Sequence, residues 1–357
     1  MWRASILALV VLLLAPSAAP ARVLQSFTPE DKLAEGPLLA GNRVAWEENR
    51  CVSPGACGFE AETRYRIRAA GPAGVRTLRQ GRIRSLPGGS NSFFSSVSFD
   101  ISPTRFVLVR SEFGTTSEQD FAAERLYVGN RDGSGLSQLF ACATDQQTVV
   151  NVFALAGERV AYDPDPCDEQ GRVAVRDLGG GSTKAIDLGS GTLADVALAG
   201  RFVASVHGRL VRVHNANSGL ELFSAPLPRG TLHGIDLASD GRLAVTVGSE
   251  RIGRRTCWRS RLWLLAPGGS AFERQPGTPC WDARLVQGRL AYLAGERRPL
   301  RLELQTQRGA RRTLVSFGDR SARESFDAQG RRAAFAVGCS GRVRIRVVSL
   351  GGRSPAC

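Results

Sequence analysis

The sequence predicts an all-β chain: a seven-bladed β-propeller with four-stranded blades, the closing blade shared by the amino- and carboxy-terminal segments. Three observations predict it. A glycine-centred phrase recurs along the chain, an arginine-led strand recurs inside each unit, and the last unit lacks a strand that the start of the chain can supply. A repeat of about 40–45 residues is the length that a four-stranded blade occupies.

The first segment in order stands outside the ring. Arg3 gives a short positive region, Ile6 to Ala15 are almost wholly apolar, and Ala19-Pro20-Ala21 forms a small-residue cleavage site. Residues 1–21 therefore read as a signal peptide. Such a run is too short to span a bilayer core of roughly 30 Å; a retained anchor is the alternative. No cysteine directly follows the cleavage site, which argues against a lipid-anchored precursor. The expectation is a secreted or cell-envelope protein whose residues 22–357 form one propeller domain.

The phrase begins at Leu39-Ala-Gly-Asn-Arg-Val-Ala-Trp46 and returns at Leu155-Ala-Gly-Glu-Arg-Val-Ala-Tyr162. Leu198-Ala-Gly-Arg-Phe-Val-Ala204, Ser239-Asp-Gly-Arg-Leu-Ala-Val245, Gln287-Gly-Arg-Leu-Ala-Tyr292 and Gln329-Gly-Arg-Arg-Ala-Ala-Phe335 follow. Ser102-Pro-Thr-Arg-Phe-Val-Leu-Val109 fills the gap between the first two, which makes seven units. Each phrase reads as a tight turn between a unit's first and second strands. The third strands start at Arg64, Arg125, Arg172, Arg209, Arg261, Arg301 and Arg342, with apolar residues alternating after them. That period of two puts one face against a neighbouring blade. Short fourth strands follow at Val75-Arg-Thr-Leu, Leu136-Ser-Gln-Leu, Leu220-Glu-Leu-Phe and Arg312-Thr-Leu-Val. After Leu350 only seven residues remain, whereas Arg22-Val-Leu-Gln-Ser-Phe27 has the character of the missing strand. Joining the two ends hides sheet edges that otherwise invite aggregation.

The second unit carries Phe99-Asp-Ile-Ser-Pro-Thr-Arg-Phe and then Asp132-Gly-Ser-Gly135, and Asp240-Gly241 is a partial match in the fifth. In these residues the chain resembles the WD40-like (PD40) repeat of TolB-type propellers, without TolB's amino-terminal domain. The resemblance implies a propeller that docks to envelope partners.

Export gives the eight cysteines a meaning, because an oxidising compartment favours disulfides. They are Cys51, Cys57, Cys142, Cys167, Cys257, Cys280, Cys339 and Cys357, with no CxxC among them. Their positions place most of them in second-to-third-strand loops or between blades, on one face of the ring. The pairs expected are Cys51–Cys57, Cys142–Cys167 and Cys257–Cys280, leaving Cys339–Cys357 by elimination. The three histidines lack zinc-ligand spacing. The acidic loop Asp163-Pro-Asp-Pro-Cys-Asp-Glu169 misses the EF-hand pattern, because Cys167 stands at its fifth position. No metal and no cofactor are expected.

First strands line a propeller's channel, and they contribute Asn151, Asp195, His233, Asp236 and Asp282. Asp195 and Asp236 each precede their unit's glycine by five residues and should stand at equivalent levels. With His233 they are the candidate acid–base groups, although no serine or cysteine nucleophile accompanies them. His207 and His214 read as packing or surface residues. On the loop face, Arg254, Arg255, Trp258, Arg259 and Trp281 are the candidate binding residues, two aromatics beside a basic patch.

Composition limits the functions further. With 43% hydrophobic and 22% charged residues, the 357-residue chain is neither disordered, collagen-like nor a many-span membrane protein. The net charge of +14 rests almost wholly on arginine, since Lys32 and Lys184 are the only lysines. Nucleic-acid binding needs a clustered patch rather than a total, and many of these arginines recur at one strand position around the ring. The reading is a monomeric, non-enzymatic propeller that binds an extracellular or envelope protein or peptide through its disulfide-stapled loop face. The alternatives are a channel-mouth lyase or hydrolase and a binder of acidic envelope polymer. Nucleic acid and stable membrane insertion are not expected.

Overall fold

The computed structural model describes residues 22–27, 31–52, 62–86, 92–115, 120–145, 152–167, 170–248, 260–295, 300–317, 325–339, 342–351 and 354–355. The predicted signal segment lies outside these residues. Strand β1 (Arg22–Phe27) precedes blade 1, which is β2 (Asp31–Ala40), β3 (Arg43–Cys51), β4 (Glu62–Gly71) and β5 (Gly74–Leu86). Blade 2 is β6 (Ser92–Ile101), β7 (Arg105–Thr115), β8 (Asp120–Asn130) and β9 (Ser137–Thr144). Blade 3 is β10 (Phe153–Ala156), β11 (Arg159–Tyr162), β12 (Gln170–Asp177) and β13 (Thr183–Ser190). Blade 4 is β14 (Leu193–Ala199), β15 (Phe202–His207), β16 (Leu210–Asn215) and β17 (Glu221–Pro226). Blade 5 is β18 (Thr231–Leu237), β19 (Leu243–Gly248), β20 (Ser260–Leu265) and β21 (Glu273–Arg274). Blade 6 is β22 (Pro279–Val286), β23 (Arg289–Ala294), β24 (Arg301–Thr306) and β25 (Arg311–Ser316). Blade 7 is β26 (Ser325–Gln329), β27 (Arg332–Cys339) and β28 (Arg342–Ser349), completed by β1. There is no helix among the described residues.

The ring closes as the ends of the sequence require. β1 runs antiparallel to β28, with Arg22 opposite Val347 and Phe27 opposite Val343. Two features depart from a plain array of four-stranded sheets. β5 is thirteen residues long and pairs onward with β6, Leu86 opposite Phe93, so blades 1 and 2 form one eight-stranded sheet. Beyond blade 7, β29 (Ser354–Pro355) adds a parallel strand to the outer edge of β25. There Arg312 donates to the carbonyls of Leu350 and Gly351 and fastens the chain end.

The turn phrase earns its glycine. Gly41, Gly157, Gly200, Gly241, Gly288 and Gly330 all take φ between 53° and 88°, a region that disfavours side chains with a Cβ. Blade 2 has no such glycine. Its turn is closed instead by Ser102, whose hydroxyl accepts the Arg105 N–H at 2.9 Å and donates to the Gly157 carbonyl of blade 3 at 2.7 Å. The turn arginines perform the same lateral service. Arg159 donates to the Gly200 carbonyl and Arg332 to the Gly41 carbonyl at 3.2 Å, each reaching the next blade. Second strands are buried on both faces, as β15 and β19 show, because both sides pack against neighbouring blades. Seven apolar clusters result, one in each gap around the ring; Trp46 and Ile345 fill the gap between blades 1 and 7.

Candidate functional site

The first strands surround a central cavity of about 1050 Å³. Asp195 and Asp236 both face it, and so do Asp100, Asp282 and Asp327. Their hydrogen bonds follow one rule. Asp100 accepts the Leu155 N–H at 2.9 Å, Asp195 the Ile235 N–H at 3.1 Å, Asp236 the Leu285 N–H and Asp327 the Leu39 N–H at 2.6 Å. In every case the donor lies on the first strand of the next blade. Asp100, Asp195 and Asp327 use their other oxygen to accept the N–H of the following residue, at 2.7–2.8 Å. These carboxylates tie neighbouring blades at the inner rim.

Arg284 on β22 stands among them. Its Nε donates to Asp327 at 3.2 Å and its Nη2 lies 3.5 Å from Asp282. Burial raises Asp100 and Asp236 to about 7 and Asp195 to about 6, against the pull of backbone donors and Arg284. Burial alone would lower Arg284, but Asp282, Asp327 and Asp236 outweigh it and hold the guanidinium charged. His233 also borders the cavity. It is the extra residue of a bulge between Leu232 and Gly234, with its ring over Gly248; a Cβ there would meet Nε2 at 2.0 Å. Burial lowers its pKa, and Asp282 opposes that shift. A neutral imidazole and partly protonated carboxyls can exchange protons. The oxygens of Asp195, however, are already occupied by two backbone donors, and Asp236 holds Leu285.

Sequence reasoning found Asp195 and Asp236 but missed Asp100, Asp327 and Arg284. The offset from the turn glycine was a poor ruler because the turns differ in length. Leu237 pairs with Leu243 across a long turn, whereas Gln329 pairs with Arg332 across a two-residue one. The acid of Phe99-Asp100 and the pair Asp282/Arg284 were the available signals.

The loop-face candidates are less fully placed. Arg254, Arg255, Trp258, Arg259, Asn151, Cys57, Cys257 and Cys357 lie outside the described residues. Trp281 is on β22, while Cys51 and Cys339 end β3 and β27; the placement of their side chains lies outside the description. Cys142 and Cys167 do meet, with Cα atoms 5.9 Å apart and sulfurs within bonding distance, and so link blade 2 to blade 3. Cys280 is buried. In the acidic loop, Asp163 is buried and accepts the Asp165 N–H at 3.0 Å. No group of three metal-ligating side chains occurs among the described residues, and no described helix is long and apolar enough to cross a membrane. His214 is buried on β16, 3.9 Å from Glu221.

The Asp132-Gly-Ser-Gly turn is built as its sequence implies. Asp132 accepts the Ser134 N–H at 3.1 Å and the Ser134 hydroxyl at 2.6 Å. Gly133 lies so close to blade 1 that a Cβ would come 2.1 Å from the Leu78 carbonyl oxygen.

Among solved structures, the WD40 domain of Neurospora crassa Pan2 aligns over 92% of this chain and 89% of its own, at 9% identity and a TM-score of 0.50. This chain has a WD40-like seven-bladed propeller fold. Saccharomyces cerevisiae Sqt1 aligns over 92% of this chain and 100% of its own, with 12% identity and a TM-score of 0.47. The β-propeller domain of the Trilobed protease from Pyrococcus furiosus, described as having an open velcro topology, covers 71% and 93%, with 11% identity and a TM-score of 0.37. No protein-family model and no curated protein matches the chain. At 9% identity the likeness to the Pan2 domain shows the fold alone and leaves function to the site.

Proposed function

We propose that this protein is an exported, non-enzymatic propeller that binds a protein or peptide through the face carrying its second-to-third-strand loops. The observation that carries this reading is the commitment of the channel carboxylates. Four of them hold backbone N–H groups of the next blade, which makes the inner rim a structural girdle. Propellers present loops from a rigid ring, and rigidity reduces the entropy lost on binding. The meeting of Cys142 and Cys167 supports a stapled loop face, and the apolar segment Ile6 to Ala15 supports export. Within that face Arg254, Arg255, Trp258, Arg259 and Trp281 are the proposed contacts.

Capture from the extracytoplasmic fraction tests the proposal. A partner retained by the natural protein should be lost when Arg254, Arg255 and Trp258 are changed together to alanine, with the melting temperature unchanged. Undiminished recovery would remove that face from the account. A second reading, a lyase or hydrolase using His233, Asp195 and Asp236, has the shared cavity in its favour. A substrate screen decides it: turnover abolished by both His233→Ala and Asp236→Asn would establish the enzyme.

A further inference from the structure

The strand register gathers arginines on one face of blade 1. It places Asp31, Arg50, Arg64 and Arg82 in one row across β2, β3, β4 and β5. The next row is Leu33, Glu48, Arg66 and Gln80, and Arg84 stands opposite Glu62 on the other side. Residues directly opposite one another share a sheet face, as do alternate residues along a strand, so all of these lie on one side. Arg50, Arg64, Arg66, Arg82 and Arg84 are exposed. Glu62 pairs with Arg82 at 2.7 Å and Glu48 with Arg68 at 3.2 Å. No acid pairs with Arg64, Arg66 or Arg84 among the described residues.

Like charges directly opposite each other destabilise a sheet. Elsewhere the protein answers them internally. Arg110 and Arg125 also face each other, but Glu112 lies 2.7 Å and 3.5 Å from them. Arg172 stands opposite Asp187, Arg212 has Glu221 at 3.6 Å, and Arg301 has Glu303 at 3.4 Å. On blade 1, Glu62 answers Arg82 in the same way, but Arg64, Arg66 and Arg84 have no acid partner among the described residues, and an external anion can supply one.

We propose that this face of blade 1 binds a densely charged linear phosphate polymer that carries no bases. The Arg64 and Arg82 backbones are about 5 Å apart across the strands, and Arg64 and Arg66 are about 7 Å apart along one. Only a polymer with an anionic group at nearly every such interval can answer the set, which a polysaccharide with one carboxylate per sugar does less well. The guanidinium fork matches phosphate oxygens in paired hydrogen bonds. Single-stranded nucleic acid is bound through exposed aromatic platforms as well as charge. Within blade 1 the only aromatic on the described part of this face is Trp46, which is fully buried. Phe93, opposite Leu86 where the sheet passes into blade 2, is half-buried and stacked on Phe121.

The test is a titration of the full chain with inorganic polyphosphate at several salt concentrations. Arg64→Gln/Arg66→Gln/Arg84→Gln should bind at least about tenfold more weakly, and the salt slope should fall by about one per arginine removed. The same three positions changed to lysine should keep most of the affinity. Arg172→Gln, the equivalent strand position in blade 3, should change nothing. Polyphosphate should raise the melting temperature of the natural protein but not of the glutamine variant. The proposal is overturned if the glutamine variant binds as the natural protein does, or if Arg172→Gln weakens binding equally. It is equally overturned if single-stranded DNA or polygalacturonate binds more tightly than polyphosphate.

Discussion

Arg284 reaches Asp327 and Asp282 directly, and its charge also bears on Asp236, Asp195 and Asp100. Removing one partner from such a set leaves buried charge without compensation. Arg284→Met is expected to lower unfolding free energy by about 3–5 kcal/mol at pH 8, measured by urea denaturation. The loss should shrink at pH 5, where the carboxyls can take up protons. At Asp236 the relevant group is an acceptor for the Leu285 N–H. Asp236→Asn keeps that acceptor and should stay within about 1 kcal/mol of the natural protein, whereas Asp236→Leu should lose about 1–3 kcal/mol. Equal losses in the two variants would show that the charge, not the acceptor, matters. His233, legible as a channel residue, could not be read as a bulge residue, because the bulge depends on how Gly234 pairs with Thr246.

At the scale of strands, β1 carries the closure. It supplies the outer strand of blade 7, and without it β28 presents an unpaired edge. Deleting residues 22–27 is expected to lower the melting temperature and promote aggregation, followed by thermal unfolding with light scattering. An unchanged melt would show that blade 7 stands on three strands. The repeat made the strands legible: glycine turns and arginine-led third strands fall on or beside the strands named for them. The length of β5 and its pairing with β6 were not legible. Alternation says that a strand exists, but where it stops depends on what its edge meets. β29 is a similar case, since Ser354–Pro355 has no strand signal of its own and is held by the edge of β25.

For the molecule as a whole, the buried carboxyls set the response to pH. Burial raises Glu47, Asp100, Glu124 and Asp236 to about 7 and Asp195 to about 6. In the unfolded chain such groups titrate near about 4. Between those values the native state holds more protons than the unfolded state, so stability falls as pH rises. Their contribution is complete below about pH 4 and lost by about pH 7. The exposed Asp132 and Asp177, lowered by hydrogen bonds, act in the opposite sense only below their ordinary range. His214 and His233, lowered by burial, oppose the carboxyls below pH 6.5, as two groups against five. The urea midpoint is therefore expected to be higher at pH 5 than at pH 8; a rise towards pH 8 would contradict the assignment.

The number of blades, their strand order and the joining of the two chain ends were determined by the sequence itself. Each depends on local chemistry: a glycine where φ must be positive, a period of two where a strand packs, and a missing strand answered by the other end. Only the tertiary structure decided that Asp100 and Asp327 join Asp195 and Asp236 around Arg284. It alone also showed that Arg50, Arg64 and Arg82 share a row. Those groupings depend on strand register and on which blade stands beside which, and neither is a property of any short stretch of chain. The same distinction divides the arginines. As a total of basic charge they named no partner, but as neighbours on one sheet they define a surface with a chemistry that can be tested.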